Sequence, residues 1–271
     1  MSQHPKLAIL GFGTMGQAIS AGLVEASGYP AGLIHAVDLH PAAGKARAEA
    51  LGIRLSREAE AAAREAEVVL LCVKPRELKD LLDGLTAAGA LGHRPLVVSI
   101  AAGTTLAFLA DHTPGATPLV RAMPNTPCAI RKGMTVLAPG KGVTEAQLAA
   151  ARALFEPLGR VMDLDEKHMD AVTGLSASGP AFMFVILESL AEGGVQCGLP
   201  RAVAVELAAQ MTLGAASMVL ETGRHPAALK DEVTTPAGCT IAGLMVLEDG
   251  RIRSVVARGI ERATQVAAGL G

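Results

Sequence analysis

The chain has 271 residues, half of them hydrophobic, which is enough for one large domain or two ordinary ones with cores of their own. A net charge of −2 provides no basic field to hold nucleic acid or an anionic membrane, and no Trp, one Tyr and five Phe leave little to stack on bases. Cys72, Cys128, Cys197 and Cys239 lie far apart, with no Cys-x-x-Cys pair and no histidine at zinc spacing, so free thiols in a reducing compartment and no metal are expected.

The opening MSQHPKLAILGFG has no basic n-region and no cleavage site, so no signal peptide is expected. The apolar runs are broken by Gly, Glu or Arg within about 15 residues, short of a bilayer span. A soluble cytoplasmic protein is the expectation. LAIL (7–10) reads as a first strand, followed by glycines and a helical pattern from Met15 to Ala26. LIHAV (33–37) is the next strand, with an Ala-rich helix to Leu51. EVVLLCV (67–73) and PLVVSIA (95–101) are continuous and β-branched, as strands buried on both faces are. TPLVRAM (117–123) and GMTVLAP (133–139) follow, then a helix over AQLAAARALFEPL. Strand alternating with helix predicts a doubly wound, Rossmann-like parallel sheet over residues 1–163.

After Asp163 the strand signal stops. Residues 164–271 read as an all-helical domain: GPAFMFVILESLAEGGVQCGL, then PRAVAVELAAQMTLGAASMVLETG with Pro200 at its start, then IRSVVARGIERATQVAAG. These helices are apolar on more than one stripe, which calls for burial on several sides; a second copy of the chain is expected to cover them, and packing against the N-terminal domain alone is the plainer reading.

Gly11, Gly13 and Gly16 follow the first strand and open a helix, the spacing that turns the chain, admits a pyrophosphate and packs helix on strand. The helix start supplies free N–H groups for phosphate. A tight turn alone is the plainer reading. Asp38 ends the second strand, where an acid reaches the ribose hydroxyls of NAD, or caps a helix. Lys74, in CVKP, ends another strand and is either near the cofactor or a surface lysine. In RAMPNTP two prolines stiffen a loop around Asn125, either a plain turn or a mount for one amide beside a nicotinamide. Ser178, in LSASGPAF, is a helix cap, a ligand contact, or both. In DEVTTPAGCTIAGL a helix starts near Cys239–Thr240 behind Thr234, Thr235 and Gly238. That is a helix start, and also a means of gripping a carboxylate without a basic residue.

Together these segments resemble the Δ1-pyrroline-5-carboxylate reductases. LKDEVTTPAGCTIAGLMVLE resembles the family's signature, and VKP, SIAAGT, RAMPNTP and LSASGPAF occur in family order along the whole chain. The resemblance implies a Rossmann domain joined to a helical dimerisation domain, and reduction of pyrroline-5-carboxylate to L-proline with NADPH or NADH. It implies a homodimer, or an assembly of such dimers. It implies cofactor contacts at Gly11, Phe12, Gly13, Thr14, Met15, Gly16, Asp38, Val73, Lys74, Pro75, Ala101, Met123, Pro124 and Asn125. The substrate would meet Ser178, Val233, Thr234, Thr235, Gly238 and Cys239, with Thr240 as the active-site threonine that hydrogen-bonds the ring nitrogen. Many members carry Arg with Ser or Thr after the second strand to receive the 2′-phosphate of NADPH, whereas this chain has Leu39 and His40. The competing readings are another imine reductase, a β-hydroxyacid dehydrogenase, or a nucleotide-sensing protein without catalysis. The hydroxyacid enzymes need a lysine in the second domain, and no lysine occurs between Lys167 and Lys230.

Overall fold

The computed structural model describes residues 4–269. Residues 1–3 and 270–271, at the outer ends of the two expected domains and at the start of the N-terminal stretch, lie outside the described residues.

Eight strands form one sheet: β1 (Leu7–Leu10), β2 (Ile34–Val37), β3 (Arg54–Ser56), β4 (Val68–Leu71), β5 (Leu96–Ser99), β6 (Leu119–Met123), β7 (Gly133–Pro139) and β8 (Gly159–Asp163). Their order is β3-β2-β1-β4-β5-β6-β7-β8, and the first six are parallel. The short apolar strands follow from double-sided burial. Successive side chains point to opposite faces, so Leu7 and Ile9 enter one core while Ala8 and Leu10 enter the other. The first core also takes Ile19 and Leu23 from α1 (Thr14–Ala21) and its continuation, Ala48 and Leu51 from α2 (Lys45–Leu51), and Leu154 and Phe155 from α6 (Glu145–Phe155). The second takes Ala62 and Ala63 from α3 (Ala59–Glu65), Leu78, Leu82 and Leu85 from α4 (Pro75–Ala87), and Leu109 from α5 (Leu106–Asp111).

The sheet departs from the all-parallel expectation at its far side. β7 runs antiparallel to β6, and β8 runs parallel to β7. Only residues 124–132 separate β6 from β7. A parallel return needs a crossover of about a dozen residues or more, so this link can only reverse the chain. Two strands escape the sequence reading. β3 is Arg-Leu-Ser and β8 is Gly-Arg-Val-Met-Asp; both lie at the sheet's edges, where no strong apolar pattern is required.

By its packing the chain divides into one unit of residues 4–178 with 262–269, and a second of residues 179–261. The division falls later than the expected boundary after Asp163, because the segment that follows packs on the sheet. Met169, in α7 (Met169–Val172), joins a small core with Met123, Val136 and Ala138. Arg121, 2% exposed on β6, reaches Asp170 at 3.1 Å and Glu166 at 3.5 Å, and Glu166 also accepts the N–H of Leu106 at the start of α5.

The second unit comprises α8 (Gly179–Gln196), α9 (Arg201–Thr222), α10 (Pro226–Val233), α11 (Cys239–Asp249) and most of α12 (Ile252–Ala268). Small residues mediate its internal packing: Ala191, Ala204 and Ala208 are buried, and Gly194 abuts Ala204. Phe184, Leu213, Leu220, Met245 and Val246 are more than half exposed. The helical stretches Glu166–Gln196 and Arg201–Thr222 are long and apolar enough, by length and composition, to cross a membrane. That corrects the expectation that no run is long enough, because hydropathy averaged along a helix outweighs the occasional Gly or Glu.

Candidate active site

All parallel strands of a sheet end on one edge, and the registers Leu10↔Val37, Leu10↔Leu71 and Leu71↔Ser99 place the ends of β2, β1, β4 and β5 side by side. The predicted residues of the first unit lie just past these ends: Gly11–Gly16 after β1, Asp38 after β2, Val73–Pro75 after β4, Ala101 after β5, and Pro124–Asn125 after β6, with Met123 as its last residue. The order reverses between β1 and β4, the switch point where open α/β sheets bind ligands.

A cavity of about 530 Å³ opens there, lined by Gly11, Gly13, Asp38, Val73 and Lys74 of the predicted set, together with Leu39, His40, Arg57 and Arg76. The three glycines have separate reasons. Gly11 adopts φ +102°, and a Cβ there would lie 2.7–2.9 Å from the backbone of Cys72 and Val73. A Cβ on Gly16 would overlap the carbonyl oxygen of Gly11. A Cβ on Gly13 would meet nothing within 4 Å. Packing therefore accounts for Gly11 and Gly16, while Gly13 borders open space at the head of α1, where Thr14, Met15 and Gly16 present first-turn N–H groups. Those residues fit a pyrophosphate brought close to the backbone. Phe12 contributes its backbone: its ring is buried under Gly44.

Asp38 is clamped. Its Oδ2 accepts the N–H of Phe12 at 3.0 Å and its Oδ1 that of His40 at 2.8 Å. The carboxylate thus ties the glycine loop to the end of β2. It closes an Asx-type turn and is not a helix N-cap, since the next helical turn, Pro41–Ala43, is preceded by His40. Each oxygen keeps a lone pair for a ribose hydroxyl.

Asn125 has a role in the protein's own framework. Its Oδ1 accepts the N–H of Met134 at 2.9 Å, and its Nδ2 donates to the carbonyl of Ser176 at 3.3 Å. Pro180 lies four residues beyond Ser176 and has no N–H to give that carbonyl. The chain widens into a π-turn over Thr173–Ala177, and the Asn125 amide donates where the proline cannot. Ser178 has helical dihedrals, φ −84° and ψ −28°, so the capping reading fails for it. Its hydroxyl has no partner among the described residues. Burial pushes the thiol of Cys72, beside the glycine loop, well above its ordinary value, so it is not a ready nucleophile.

In the second unit, TTPAGCT forms a closed turn. The N–H of Gly238 donates to the carbonyl of Thr235 at 3.1 Å, with Pro236 second and Ala237 left-handed at φ +55° in third place, the layout of a type II turn. A Cβ on Gly238 would overlap the hydroxyl of Thr235. Gly238 caps α11 without a side-chain bond, so the N–H groups of Cys239 and Thr240 head an 11-residue helix. Thr234 differs from the expectation. It follows α10, and its hydroxyl donates to the carbonyl of Lys230 at 2.8 Å, so that proton is already committed. The hydroxyls of Thr235 and Thr240 have no partner among the described residues. Val233, the last residue of α10, is 64% exposed.

Sequence reasoning missed Arg57, Arg76, Arg121 and Glu166. Arg57 escaped because β3 was not recognised, and the position just past a strand's carboxyl end is the signal that would have drawn attention to it. Among the described residues no group of three or more His, Cys, Asp or Glu converges as a metal site.

Residues 166–270 match the family model described as pyrroline-5-carboxylate reductase dimerisation, and residues 6–103 match that described as NADP oxidoreductase, coenzyme F420-dependent. The pyrroline-5-carboxylate reductase of Synechocystis sp. is 43% identical over 266 residues, 98% of each chain. The solved pyrroline-5-carboxylate reductase of Coxiella burnetii is 32% identical with a TM-score of 0.90 over 99% of both chains. That of Plasmodium falciparum, solved with NADP bound, is 26% identical with a TM-score of 0.89 over 98% of both. The likeness runs through the glycine-loop unit and the helical unit alike, and with it the chain belongs to the pyrroline-5-carboxylate reductase family.

Proposed function

We infer that the chain reduces L-1-pyrroline-5-carboxylate to L-proline with NAD(P)H, the last step of proline biosynthesis. The observation that supports this best is the open space at Gly13 in a chain that matches the family from end to end. The bound nicotinamide supplies a hydride for the imine carbon. An iminium accepts hydride without a covalent nucleophile or a metal, so the residues' task is orientation. The glycine loop holds the pyrophosphate, Asp38 the adenosine ribose, and the ends of β4, β5 and β6 border the nicotinamide side. Ala101, Met123 and Pro124 form the floor there, and Asn125 keeps that floor rigid by bracing β7 and Ser176.

The N–H groups at the head of α11 and the hydroxyl of Thr235 receive the substrate carboxylate, with Val233 and Cys239 at its margins. Thr240, with its hydroxyl uncommitted, holds the ring nitrogen by a hydrogen bond and relays to it a proton taken from solvent, a role of orientation more than of strong acid catalysis. Thr240→Ala tests this. Thr240 is the second residue of α11 and not its cap, so folding and cofactor binding should hold within about 1 kcal/mol. Turnover of pyrroline-5-carboxylate should fall at least tenfold, about 1.4 kcal/mol; unchanged kinetics would remove Thr240 from the mechanism.

The exposed apolar faces of α8, α9 and α11 are covered by a second copy, giving a homodimer, alone or within a larger assembly of dimers. A bilayer suits them poorly, because Glu188, Glu192 and Glu206 lie in these helices and a charge at bilayer depth costs about 3 kcal/mol. A cytoplasmic location agrees with that reading. Sedimentation at decreasing concentration should show activity lost together with the dimer; a fully active monomer would refute it.

A further inference from the structure

We propose that Arg57 is the residue that reads the 2′-phosphate of NADPH in this chain, taking the place of a basic residue after β2. The proposal rests on the cofactor reading of the cavity at the glycine loop.

Asp38 poses the problem. A carboxylate that accepts the ribose hydroxyls of NADH lies against a doubly charged phosphate when the cofactor is NADPH, and like charges at close range are costly unless a cation intervenes. Leu39, 71% exposed, supplies none. Two cations that follow Asp38 in sequence have carboxylate partners and do not line the cavity: Lys45 is 3.8 Å from Glu49, and Arg47 is 2.9 Å from Glu25. His40 lines it, but an imidazole lacks the parallel pair of donors that grips a phosphate.

Arg57 is placed differently. β2 and β3 pair in parallel with Val37 opposite Ser56, and the N–H of Asp38 donates to the carbonyl of Ser56 at 3.1 Å. Asp38 and Arg57 are the residues that follow this last pair, at the ends of neighbouring strands roughly 4.8 Å apart. Arg57 lines the same cavity, is exposed, and makes no ion pair among the described residues. Lys74 also lines the cavity without a carboxylate partner among the described residues, but it follows β4, two strands from β2. Arg76 heads α4 with Glu77 at 3.5 Å, and the remaining charges on the cavity wall, Glu77 and Asp80, repel phosphate. Arg57 is therefore the permanent, uncommitted cation one strand from Asp38, and a guanidinium presents two parallel donors to phosphate oxygens.

Calorimetric titration with ADP-ribose and with its 2′-phosphorylated form tests the assignment in the full-length protein. In Arg57→Ala, affinity for the 2′-phosphorylated compound should fall at least tenfold while that for ADP-ribose stays within twofold. Arg57→Lys should recover part of the loss. The kcat/KM ratio of NADPH to NADH should move with the binding data. If wild type binds ADP-ribose and Arg57→Ala leaves the response to the 2′-phosphate unchanged, the assignment of Arg57 is wrong and the cavity reading stands. If wild type binds neither compound, the cavity reading fails and the assignment fails with it.

Discussion

The glycine loop offers a test in which stability and binding should separate. Gly13→Ala adds a methyl group where nothing lies within 4 Å, on a residue at φ −78° and ψ −162° that alanine adopts without strain. Alanine restricts the unfolded chain, worth about 0.4–1 kcal/mol in favour of folding. Alanine is also a poorer N-cap than glycine, by up to roughly 1 kcal/mol. These contributions oppose each other, so net stability should change by less than about 1 kcal/mol. Gly16→Ala is the contrast. Alanine gains about 1 kcal/mol of helix propensity, but its Cβ overlaps the carbonyl oxygen of Gly11, which is backbone and cannot swing aside. Overpacking costs about 1–3 kcal/mol and more against backbone, so Gly16→Ala should be destabilised. Urea denaturation gives the stabilities, and quenching or enhancement of NADH fluorescence gives the affinities. Gly13→Ala should keep its midpoint and bind NADH at least tenfold more weakly. Wild-type NADH affinity in Gly13→Ala would show that no cofactor passes over that residue, and the reason given for it would be refuted.

Arg121→Met removes a buried guanidinium from Glu166 and Asp170. Breaking a fully buried pair costs about 3–5 kcal/mol, and because the two carboxylates are 30% and 38% exposed the expected loss is nearer about 1–3 kcal/mol. A urea midpoint indistinguishable from wild type would mean that the pairs of Arg121 with Glu166 and Asp170 contribute nothing to holding that segment on the sheet. The imidazole of His35 is held below its ordinary value, first by burial and then by Arg54. The unfolded state therefore binds the proton more readily, so stability from this site is present above about pH 6.5 and is lost as pH falls through the lower, folded value. Melting temperatures across that range should decline less steeply in His35→Gln than in wild type; parallel declines would remove His35 from the acid response.

The sheet interior was legible because burial on both faces leaves no freedom of composition: LAIL, VVLL and LVVS can be little else. The edges were not. Arg-Leu-Ser at β3 and Gly-Arg-Val-Met-Asp at β8 are strands only because a neighbour supplies hydrogen bonds, and no local pattern announces that. The site followed the same rule. Gly11, Gly13 and Gly16 could be read because their spacing encodes backbone geometry. The committed hydroxyl of Thr234 and the bracing by Asn125 depend on the carbonyls of Lys230 and Ser176, and partners of that kind appear only once the chain is folded. Ser178 looked like a cap because Gly-Pro commonly opens a helix, but the π-turn before it had already set its dihedrals to helical values.

The double grip on Asp38 has a consequence for redesign and for evolutionary drift between cofactors. A carboxylate that only read ribose could be exchanged freely, and preference would follow its charge. Here the same two oxygens hold the N–H groups of Phe12 and His40, so removing the charge also releases the glycine loop, the proposed seat of the pyrophosphate. Replacing Asp38 would weaken both nucleotides at once, and a lineage starting from this chain has an easier path by altering its neighbours. Selectivity is therefore adjustable around Asp38, at positions such as Leu39 and Arg57, while Asp38 itself is constrained by the loop it fastens.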